Sequence, residues 1–405
     1  MTATVNDEIY YDPYDPVLQL DPYPVFRRMR EEAPLYYNEQ HNFFALSRFD
    51  DVETAFKDHE TFSSSRGNIL ELVHANVEMP SGVFIFEDPP LHTAHRGVLS
   101  RVFTPKKMNV LEPQIRAYCA RVLDPLIGTD RLDFVADLGA KMPMKVIGML
   151  LGVPEADQEE LRVHQDNKLR RKEGEPGTFT DKGLAESTID GTFFEEYVTW
   201  RTENPSDDLM TQLIQAEFED ETGTVRRLTR EEILIFVNIL ATAGNETTNR
   251  VIGWSGKILA DNPDQRRDLV EDRSLIPNAV EEILRCQPPA LQACRYVTRD
   301  VELHGQVVPA GSVMMLLMAS ANRDSEKFPP DGDQYDIRRQ IGHHLTFGYG
   351  LHFCLGAALA RLEARIAIDE ILQRFPEWEV DMDNAKLDSS QVRGWQTLPV
   401  HLPTN

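Results

Sequence analysis

A stretch of about thirty residues in the middle of the chain limits most strongly how this sequence can fold, because a mean helix has only ~11–12 residues. Thr229 and Glu232 form a capping box, with Thr at the N-cap position and Glu three residues later. The apolar run Ile233 to Ala243 follows, and helical character continues to Leu259 before Asn262-Pro263 ends it. Because its first half is apolar nearly all round, we expect this helix to run through the core.

The remainder of the 405-residue chain is typical of a mainly α protein with a smaller β region. Helical patterns predict α-rich parts at about 90–285 and 356–374, and short apolar runs predict β-rich parts at about 40–60, 290–320 and 376–405. We find neither a repeat nor a low-complexity linker, so we expect a single domain over residues 1–405.

Individual elements are predicted from capping, periodicity and turn residues. Besides the long helix, the predicted helices lie at 22–32, from Asp50, near 91–101, 111–126, 139–151, 155–170 and 183–203, and at 276–285 and 356–374. The predicted strands lie at 43–46, 295–298, 301–304, 307–308, 313–317, 378–382 and 398–402. Residues 64–87 are predicted to be a long apolar loop that either lines a binding site or packs on its own core. The charged Gly/Pro segment 170–183 predicts a mobile loop suited to a lid.

Charge and cysteine usage exclude several classes of partner. The formal net charge is −24, from 42 basic and 66 acidic side chains, which disfavours binding to nucleic acid or to a membrane surface. The four cysteines, Cys119, Cys286, Cys294 and Cys354, are scattered as in a protein of the reducing cytoplasm. The polar N-terminus predicts neither a signal peptide nor a membrane anchor, and we expect a cytoplasmic protein.

The segment FGYGLHFCLG, residues 347–356, carries the most specific chemistry. Gly348, Gly350 and Gly356 permit turns and close backbone approach. Cys354 is predicted at the start of a helix, where free N–H groups and the helix dipole stabilise a thiolate. A thiolate among apolar neighbours needs a metal partner to offset its burial, heme iron suits it, and Phe347 can shield the sulfur. An isolated cysteine would more often be a buried free thiol, but three glycines, an aromatic and a histidine at these spacings favour a ligand.

This segment resembles the heme-ligand signature FGxGxHxCxG of cytochrome P450 enzymes and matches it at every fixed position. The resemblance extends over nearly the whole chain, with the family's landmarks in order. It implies the cytochrome P450 fold, with the long central helix crossing over the heme, and heme b (iron protoporphyrin IX) with Cys354 as the axial ligand of the iron. It also implies a set of residues around the cofactor, namely Ala243, Gly244, Phe347, Gly348, His352 and Gly356.

The long helix carries AGNETT at residues 243–248, which indicates a second chemical centre. Gly244 costs about 1 kcal/mol relative to Ala within a helix, and Thr side chains can bend a helix by bonding back to preceding carbonyls. Glu246 and Thr247 would supply the carboxylate and the hydroxyl that proton delivery to bound oxygen requires, although a kink with a partly exposed Glu is the plainer interpretation. The resemblance implies that Thr247 orients water at the oxygen site and that Glu246 relays protons.

Glu282 and Arg285 lie one helical turn apart, a spacing that alone predicts only a surface ion pair. The resemblance identifies them with the family's buried ExxR pair, which a third arginine joins. Arg339 is the better match for that third member, and Arg338 is the alternative. The role implied for this group is structural. The family usually has a proline after Asn-Arg-Asp, where this chain has Ser325.

Heme propionates call for cationic or hydrogen-bonding partners. The resemblance assigns His92 and Arg96, from the pattern DPPxHxxxR, together with Arg295 and His352. Each of these alone is more often a surface or structural residue, but together they occur in the family's order.

The resemblance implies a substrate pocket on the distal side of the heme. Its candidate contacts are Phe84, Ile239, Ala243, Leu291 and Trp395, which are mostly apolar and indicate a hydrophobic organic substrate. Terpenoid, steroid, fatty-acyl and aromatic compounds all remain open.

The sequence has no GxGxxG after a strand, so electrons are expected from a separate ferredoxin or flavodoxin with its NAD(P)H-dependent reductase. Lys106, Lys107, Arg361 and Arg365 are the candidates for a basic docking face near Cys354. The family implies a monomer.

The function expected from these residues is hydroxylation by a monooxygenase, in which one oxygen atom of O2 enters the substrate. A peroxide-driven peroxygenase is one alternative, which the intact Glu246-Thr247 pair disfavours. A heme-thiolate binding or sensing protein without turnover is the other, and nothing in the sequence resembles an output domain.

Overall fold

The computed structural model describes residues 8–76, 79, 81–158, 160–161, 191–388 and 392–403. The α-helices of these residues, numbered in chain order, are Pro16–Leu20 (α1), Tyr23–Glu32 (α2), Phe49–Lys57 (α3), Leu70–Ala75 (α4), Leu91–Val102 (α5), Pro105–Asn109 (α6), Glu112–Leu123 (α7), Met142–Leu151 (α8), Glu195–Glu203 (α9), Leu209–Gln215 (α10), Arg230–Asp261 (α11), Pro263–Glu271 (α12), Ile276–Cys286 (α13), Met318–Ala321 (α14) and Ala357–Arg374 (α15). A π-helical turn covers Phe134–Gly139, and short 3-10 turns include Phe84–Phe86, Glu155–Asp157, Thr192–Phe194 and Gly350–His352.

The strands are short. They are Leu35–Asn38 (β1), Phe43–Leu46 (β2), Phe62–Ser63 (β3), Arg131–Asp133 (β4), Glu217–Glu219 (β5), Val225–Arg227 (β6), Ala293–Val297 (β7), Val301–Leu303 (β8), Gln306–Val308 (β9), Val313–Leu316 (β10), Glu379–Val380 (β11), Lys386–Asp388 (β12), Gly394–Thr397 (β13) and Pro399–His401 (β14). The largest sheet has the order β1-β2-β10-β7-β3, in which only β10 and β2 run parallel. A second sheet has the order β11-β14-β4, and three two-stranded ribbons complete the described strands.

Helix α11 begins where the capping box predicts it. Thr229 accepts a hydrogen bond from the backbone N–H of Glu232, and the Glu232 side chain accepts one from the backbone N–H of Thr229. The helix is 32 residues long and packs against α8, α15, β13 and the π-helical turn. It therefore runs through the largest hydrophobic cluster, as its apolar first half predicts.

The segment 64–87 is not the unstructured loop that the sequence analysis predicts. It contains α4 and the 3-10 turn Phe84–Phe86, and Leu72, Val83 and Phe84 are buried in the core. Helix α4 has only six residues and no side-chain cap, so its pattern is too short to stand out in the sequence.

Other differences are at the ends of elements. The helix predicted at 139–151 begins at Met142, because residues 134–139 form the π-helical turn instead. Helix α9 begins at Glu195. Of the helix predicted at 155–170, the described residues are the 3-10 turn Glu155–Asp157 and the helical residues Gln158, Glu160 and Leu161. The lid predicted at 170–183, like the first part of the helix predicted at 183–203, lies outside the described residues.

Candidate heme-thiolate site

The loop before α15 holds Cys354 in a conformation that requires glycine. Gly348 and Gly350 have φ angles of +66° and +70°, in the left-handed region that side chains disfavour. A Cβ on Gly350 would also lie 2.8 Å from the carbonyl oxygen of Phe56 on α3. The turn closes through a 2.8 Å hydrogen bond from the N–H of Cys354 to the carbonyl oxygen of Phe347. The two glycines thus bring Phe347 and Cys354 together.

Cys354 lies three residues before Ala357, the first residue of α15. Surrounding protein raises the pKa of its thiol, while the N–H groups of Gly356 and Ala357 and the guanidinium groups of Arg96 and Arg361 act in the opposite direction. These donors and cations would stabilise a thiolate, and a bound metal ion would complete the ionisation.

Cys354 differs from the other three cysteines in its accessibility. It lines a cavity of about 800 Å³, whereas Cys119, Cys286 and Cys294 are buried. Burial raises the pKa of Cys119 to about 12 and that of Cys286 to about 11, so these thiols stay protonated. Only Cys354 combines access with thiolate-stabilising groups.

A cluster of cationic and histidine side chains lies close to Cys354. The rings of His92 on α5 and His352 are 4.3 Å apart between centroids. Arg96, one turn along α5 from His92, donates a hydrogen bond to the carbonyl oxygen of Phe353. Arg295 on β7 is buried, and its Nη1 donates to the carbonyl oxygen of Cys294 at 2.7 Å. The structure thus brings together all four residues that the sequence analysis assigned to the heme propionates.

Burial and nearby cations disfavour the charged forms of the two histidines. Burial and Arg96 lower the pKa of His92 to about 4, and burial, His92, Arg295 and Arg96 lower that of His352 to about 3. Burial lowers the pKa of Arg295 to about 10 and also lowers that of Arg96. Both ring nitrogens of His92 and Nε2 of His352 are buried without a hydrogen-bond partner among the described residues. Two carboxylates at this position would favour protonation of these imidazoles and accept hydrogen bonds from their N–H groups, so the residues fit the propionates of a heme.

The middle of α11 has one accessible face. Ala243 is exposed although Leu240 and Ala241, within a turn of it, are buried. Thr247, four residues further, donates from Oγ1 to the carbonyl oxygen of Ala243 at 3.1 Å. The hydroxyl oxygen therefore keeps its lone pairs for accepting a hydrogen bond. Gly244 lies close to α8, because a Cβ there would be 2.8 Å from Ile147 Cδ1.

Glu246 lies beside a buried arginine that the sequence analysis did not single out. Arg250 donates from Nη2 to Glu246 at 2.8 Å and to Asp388 on β12 at 3.0 Å, and from Nη1 to the carbonyl oxygen of Trp395 at 2.6 Å. A cation four residues after a helical carboxylate is a recognisable pair, so Arg250 could have been found from the sequence. Asp388 is 138 residues further along the chain and gives no local signal.

The structural group around Glu282 is fully buried. Arg285 donates to both carboxylate oxygens of Glu282 at 2.6 Å, and Arg339 donates to one of them at 3.0 Å. Arg338 instead pairs with Asp268 at the surface. The geometry therefore selects Arg339 as the third member, and the group joins α13 to the region before Cys354.

The five candidate substrate contacts lie in different surroundings. Phe84 and Ile239 are buried in the largest cluster, where the ring of Phe84 meets that of Phe236 at 5.4 Å. Trp395 belongs to the same cluster but packs against Gly253 and Trp254, further along α11 than Thr247. Leu291 packs against a separate cluster beneath the large sheet.

Comparison with known proteins gives one consistent result. The family model described as cytochrome P450 matches residues 181–400. A putative cytochrome P450 123 from Mycobacterium tuberculosis is 38% identical over 99% of both chains, and the cytochrome P450 monooxygenase PikC from Streptomyces venezuelae is 33% identical over 94% of this chain and 91% of its own. The solved structure of cytochrome P450 CYP109Q5 from Chondromyces apiculatus has a TM-score of 0.84 at 31% identity, covering 98% of this chain and 99% of that one.

The chain therefore belongs to the cytochrome P450 family, whose members are monooxygenases with a cysteine thiolate bound to heme, and its fold is the cytochrome P450 fold. Its cofactor is heme b. Among the described residues, no helix is long and apolar enough to cross a membrane.

Proposed function

We propose that this protein hydroxylates a hydrophobic organic substrate, inserting one oxygen atom of O2, and that the thiolate of Cys354 would hold the heme iron. The observation that carries the proposal is the position of the one accessible cysteine beside His92, Arg96, Arg295 and His352. The thiolate would hold the iron of a heme, and the histidines and arginines would bind its two propionates. When bound, the heme supplies oxygen binding and one-electron chemistry, which the thiolate favours.

Thr247 is proposed to orient water at the oxygen site, and Glu246 is proposed to relay protons. Because Thr247 donates its own hydroxyl proton to the carbonyl oxygen of Ala243, its oxygen is oriented to accept a hydrogen bond and hold a water molecule. Glu246 lies on the adjacent position of the same helix, and its carboxylate is held by Arg250. A carboxylate that reaches this water through hydrogen bonds is suited to transfer a proton to it.

The substrate is proposed to lie against the accessible face of α11 at Ala243, with Phe84, Ile239, Leu291 and Trp395 as further contacts. All five side chains are apolar or aromatic, which favours a hydrophobic compound. Two similar solved structures, both CYP109E1 from Bacillus megaterium at 30% identity, hold testosterone and corticosterone. Steroids are therefore the first of the candidate classes to test, ahead of terpenoid, fatty-acyl and aromatic compounds.

Electrons are proposed to come from a ferredoxin with its reductase, docking over Cys354. The cavity on this side is lined by Arg96, Arg361 and Arg365 and by the partly exposed ring of Phe353. Lys106 and Lys107 are exposed, whereas Arg361 is bound to Glu281 at 2.7 Å. We expect K106E/K107E to slow reduction by a ferredoxin, while equal rates in the variant and the wild type would discard this docking face.

We further propose that residues 1–405 form one domain, a monomer located in the cytoplasm. The formal net charge of −24 favours a chain that stays in solution without association.

The absorbance of the reduced protein under carbon monoxide tests the proposal most directly. We expect a strongly red-shifted Soret band in the wild type, because the thiolate is the iron ligand. Cys354→Ala should abolish this band, whereas Cys119→Ala, which removes a buried cysteine on α7, should leave it unchanged. A band at the position typical of histidine-ligated heme, or a band that survives in Cys354→Ala, would overturn the assignment of Cys354.

A further inference from the structure

A buried histidine on α5 lies between two carboxylates from different parts of the chain. His95 has no exposed surface, and its Nδ1 is 2.8 Å from Oε2 of Glu87, which precedes α5. Its Nε2 is 3.4 Å from Oε1 of Glu232, in the first turn of α11. Both carboxylates are also buried. Two buried carboxylates around one imidazole favour its charged form, because each ring N–H then faces an anion.

Glu232 is held in place without His95. Arg226 on β6 donates to both of its oxygens, at 2.8 and 2.9 Å, and the backbone N–H of Thr229 donates to it at 2.7 Å. Arg226 is in turn bound to Asp220 at 3.2 Å. The Glu232 carboxylate therefore has a fixed position at the start of α11, and His95 pairs with it there.

The position of the Glu87 side chain depends on His95 far more than the position of Glu232 does. The Glu87 carboxylate also accepts a hydrogen bond from the backbone N–H of Gly82, which donates to Oε1 at 2.8 Å. This bond folds residues 81–87 into a closed turn over α11, and a Cβ on Gly82 would lie 3.4 Å from Glu232 Cγ. Within the turn, Phe84 packs its ring on Phe236 of α11. His95 packs on the same Phe236 ring at 5.5 Å. The turn is thus attached to α5 and α11 by one buried cation and one shared aromatic ring.

We propose that His95, as a cation bound by Glu87 and Glu232, is a positioning residue that fixes the turn 81–87 against α11 and so sets the rate at which ligands pass Phe84. The inference rests on the proposed function in one respect, since it takes Phe84 as part of the substrate pocket. It adds a residue outside the heme-binding and proton-supplying groups. His95 shares α5 with His92 and Arg96, so the same contact also fixes the helix that carries two proposed propionate partners.

The electrostatics of the site agree with this geometry. Burial lowers the pKa of His95, but the nearby carboxylates of Glu232 and Glu87 outweigh burial and raise it to about 9. The charged and titratable groups that face His95 directly or through one partner are Glu87, Glu232, Arg226 and Asp220, and those nearest along α5 are His92 and Arg96.

Two variants test the attachment of the turn 81–87 to His95 separately from the overall stability of the fold. His95→Gln keeps a polar side chain but removes the cation, and Glu87→Gln keeps His95 bound to Glu232 while it weakens the link to the turn. The control is His304→Asn, which alters a His–carboxylate pair at the surface, with Asp51 at 2.8 Å, and suits the φ of +50° there.

Hydrogen–deuterium exchange of the holoenzyme is the first measurement. We expect the peptide covering residues 81–88 to exchange about tenfold faster or more in both variants, because a hydrogen bond to a charged group is lost. Peptides from the start of α11 should be unchanged, because Arg226 still holds Glu232, and His304→Asn should match the wild type. Unchanged exchange of residues 81–88 in folded His95→Gln and Glu87→Gln would overturn the proposal. This readout does not depend on the identity of the iron ligand.

The second measurement uses 4-phenylimidazole as a probe of ligand passage, followed by stopped-flow absorbance. Association and dissociation rate constants should both rise about tenfold, with the dissociation constant nearly unchanged, because the turn affects the path and not the bound state. Faster exchange of residues 81–88 without faster binding would overturn the claim that the turn controls passage. If Cys354→Ala kept the thiolate band but the exchange result held, the ligand assignment would fail and the role of His95 in fixing the turn would stand.

Discussion

Arg250 lies one helical turn after Glu246 and donates a hydrogen bond from Nη2 to its carboxylate at 2.8 Å. The same guanidinium binds Asp388 and the carbonyl oxygen of Trp395, so it links α11 to the ribbon β12–β13. Gly394 leaves room for it, because a Cβ there would lie 2.6 Å from Arg250 Cδ. The orientation of Glu246 therefore depends on contacts made by distant parts of the chain.

Arg250→Leu should reduce the efficiency with which electrons are used. Without the guanidinium, the Glu246 carboxylate is no longer held in one orientation, and we expect kcat to fall about tenfold or more with KM little changed. The ratio of product to NADH consumed should fall with it. Arg267→Leu, which breaks the exposed pair with Asp264, is the matched control and should leave both quantities unchanged. A rise in KM with kcat unchanged would show that Arg250 acts on substrate binding through Trp395 instead.

Glu246→Gln tests the proposed proton relay directly. The amide has nearly the same shape but cannot take up and release a proton, so kcat should fall by about 10²-fold while the substrate-induced spectral shift is retained. Steady-state turnover at saturating substrate measures the effect. Glu32→Gln, in an exposed pair with Arg28, serves as the comparison. Full activity in Glu246→Gln would remove this residue from the proton path.

Substituting the adjacent residues Arg338 and Arg339 one at a time compares the stability contribution of an exposed ion pair with that of a buried one. Arg339→Leu removes one of the two arginines that pair with the buried Glu282 carboxylate and should lower the free energy of unfolding by about 3–5 kcal/mol. Arg338→Leu removes only the exposed pair with Asp268 and should change it by less than about 1 kcal/mol. Urea unfolding of both variants gives the two values. Equal effects would contradict the assignment of Arg339 to the buried group.

The sequence predicts those elements of the fold that are determined by interactions between residues close together in the chain. Helix α11 is bounded by its own capping box, and the turn at Cys354 is encoded by Gly348 and Gly350 within a few residues. Strand β2 was predicted with its observed ends because its apolar run is bounded by polar residues. Signals of this kind need no knowledge of the tertiary structure.

Elements that depend on distant partners were missed for the same reason. Strand β3 has two residues and exists because Phe62 and Ser63 pair with β7, more than two hundred residues later in the sequence. His95 appears in the sequence as an ordinary helical histidine, and only folding brings Glu87 and Glu232 to its two ring nitrogens. Non-local pairing therefore limits what the sequence alone reveals about the groups that support the site.

The charge on His95 gives a prediction for alkaline pH. Its pKa is about 9 in the folded protein against 6.5 ordinarily, so its contribution to stability is complete below pH 6.5 and is lost as the pH rises through 9. A shift of this size corresponds to roughly 3 kcal/mol, and the free energy of unfolding of the wild type should fall by an amount of this order across the window. His95→Gln should be less stable than the wild type at neutral pH and should lack this decline, so the two curves should converge near pH 10. Urea unfolding at several pH values measures both curves.

His304→Asn should follow the wild type throughout, because the His304–Asp51 pair is exposed to solvent. Parallel curves for His95→Gln and the wild type would mean that His95 is not held as a cation.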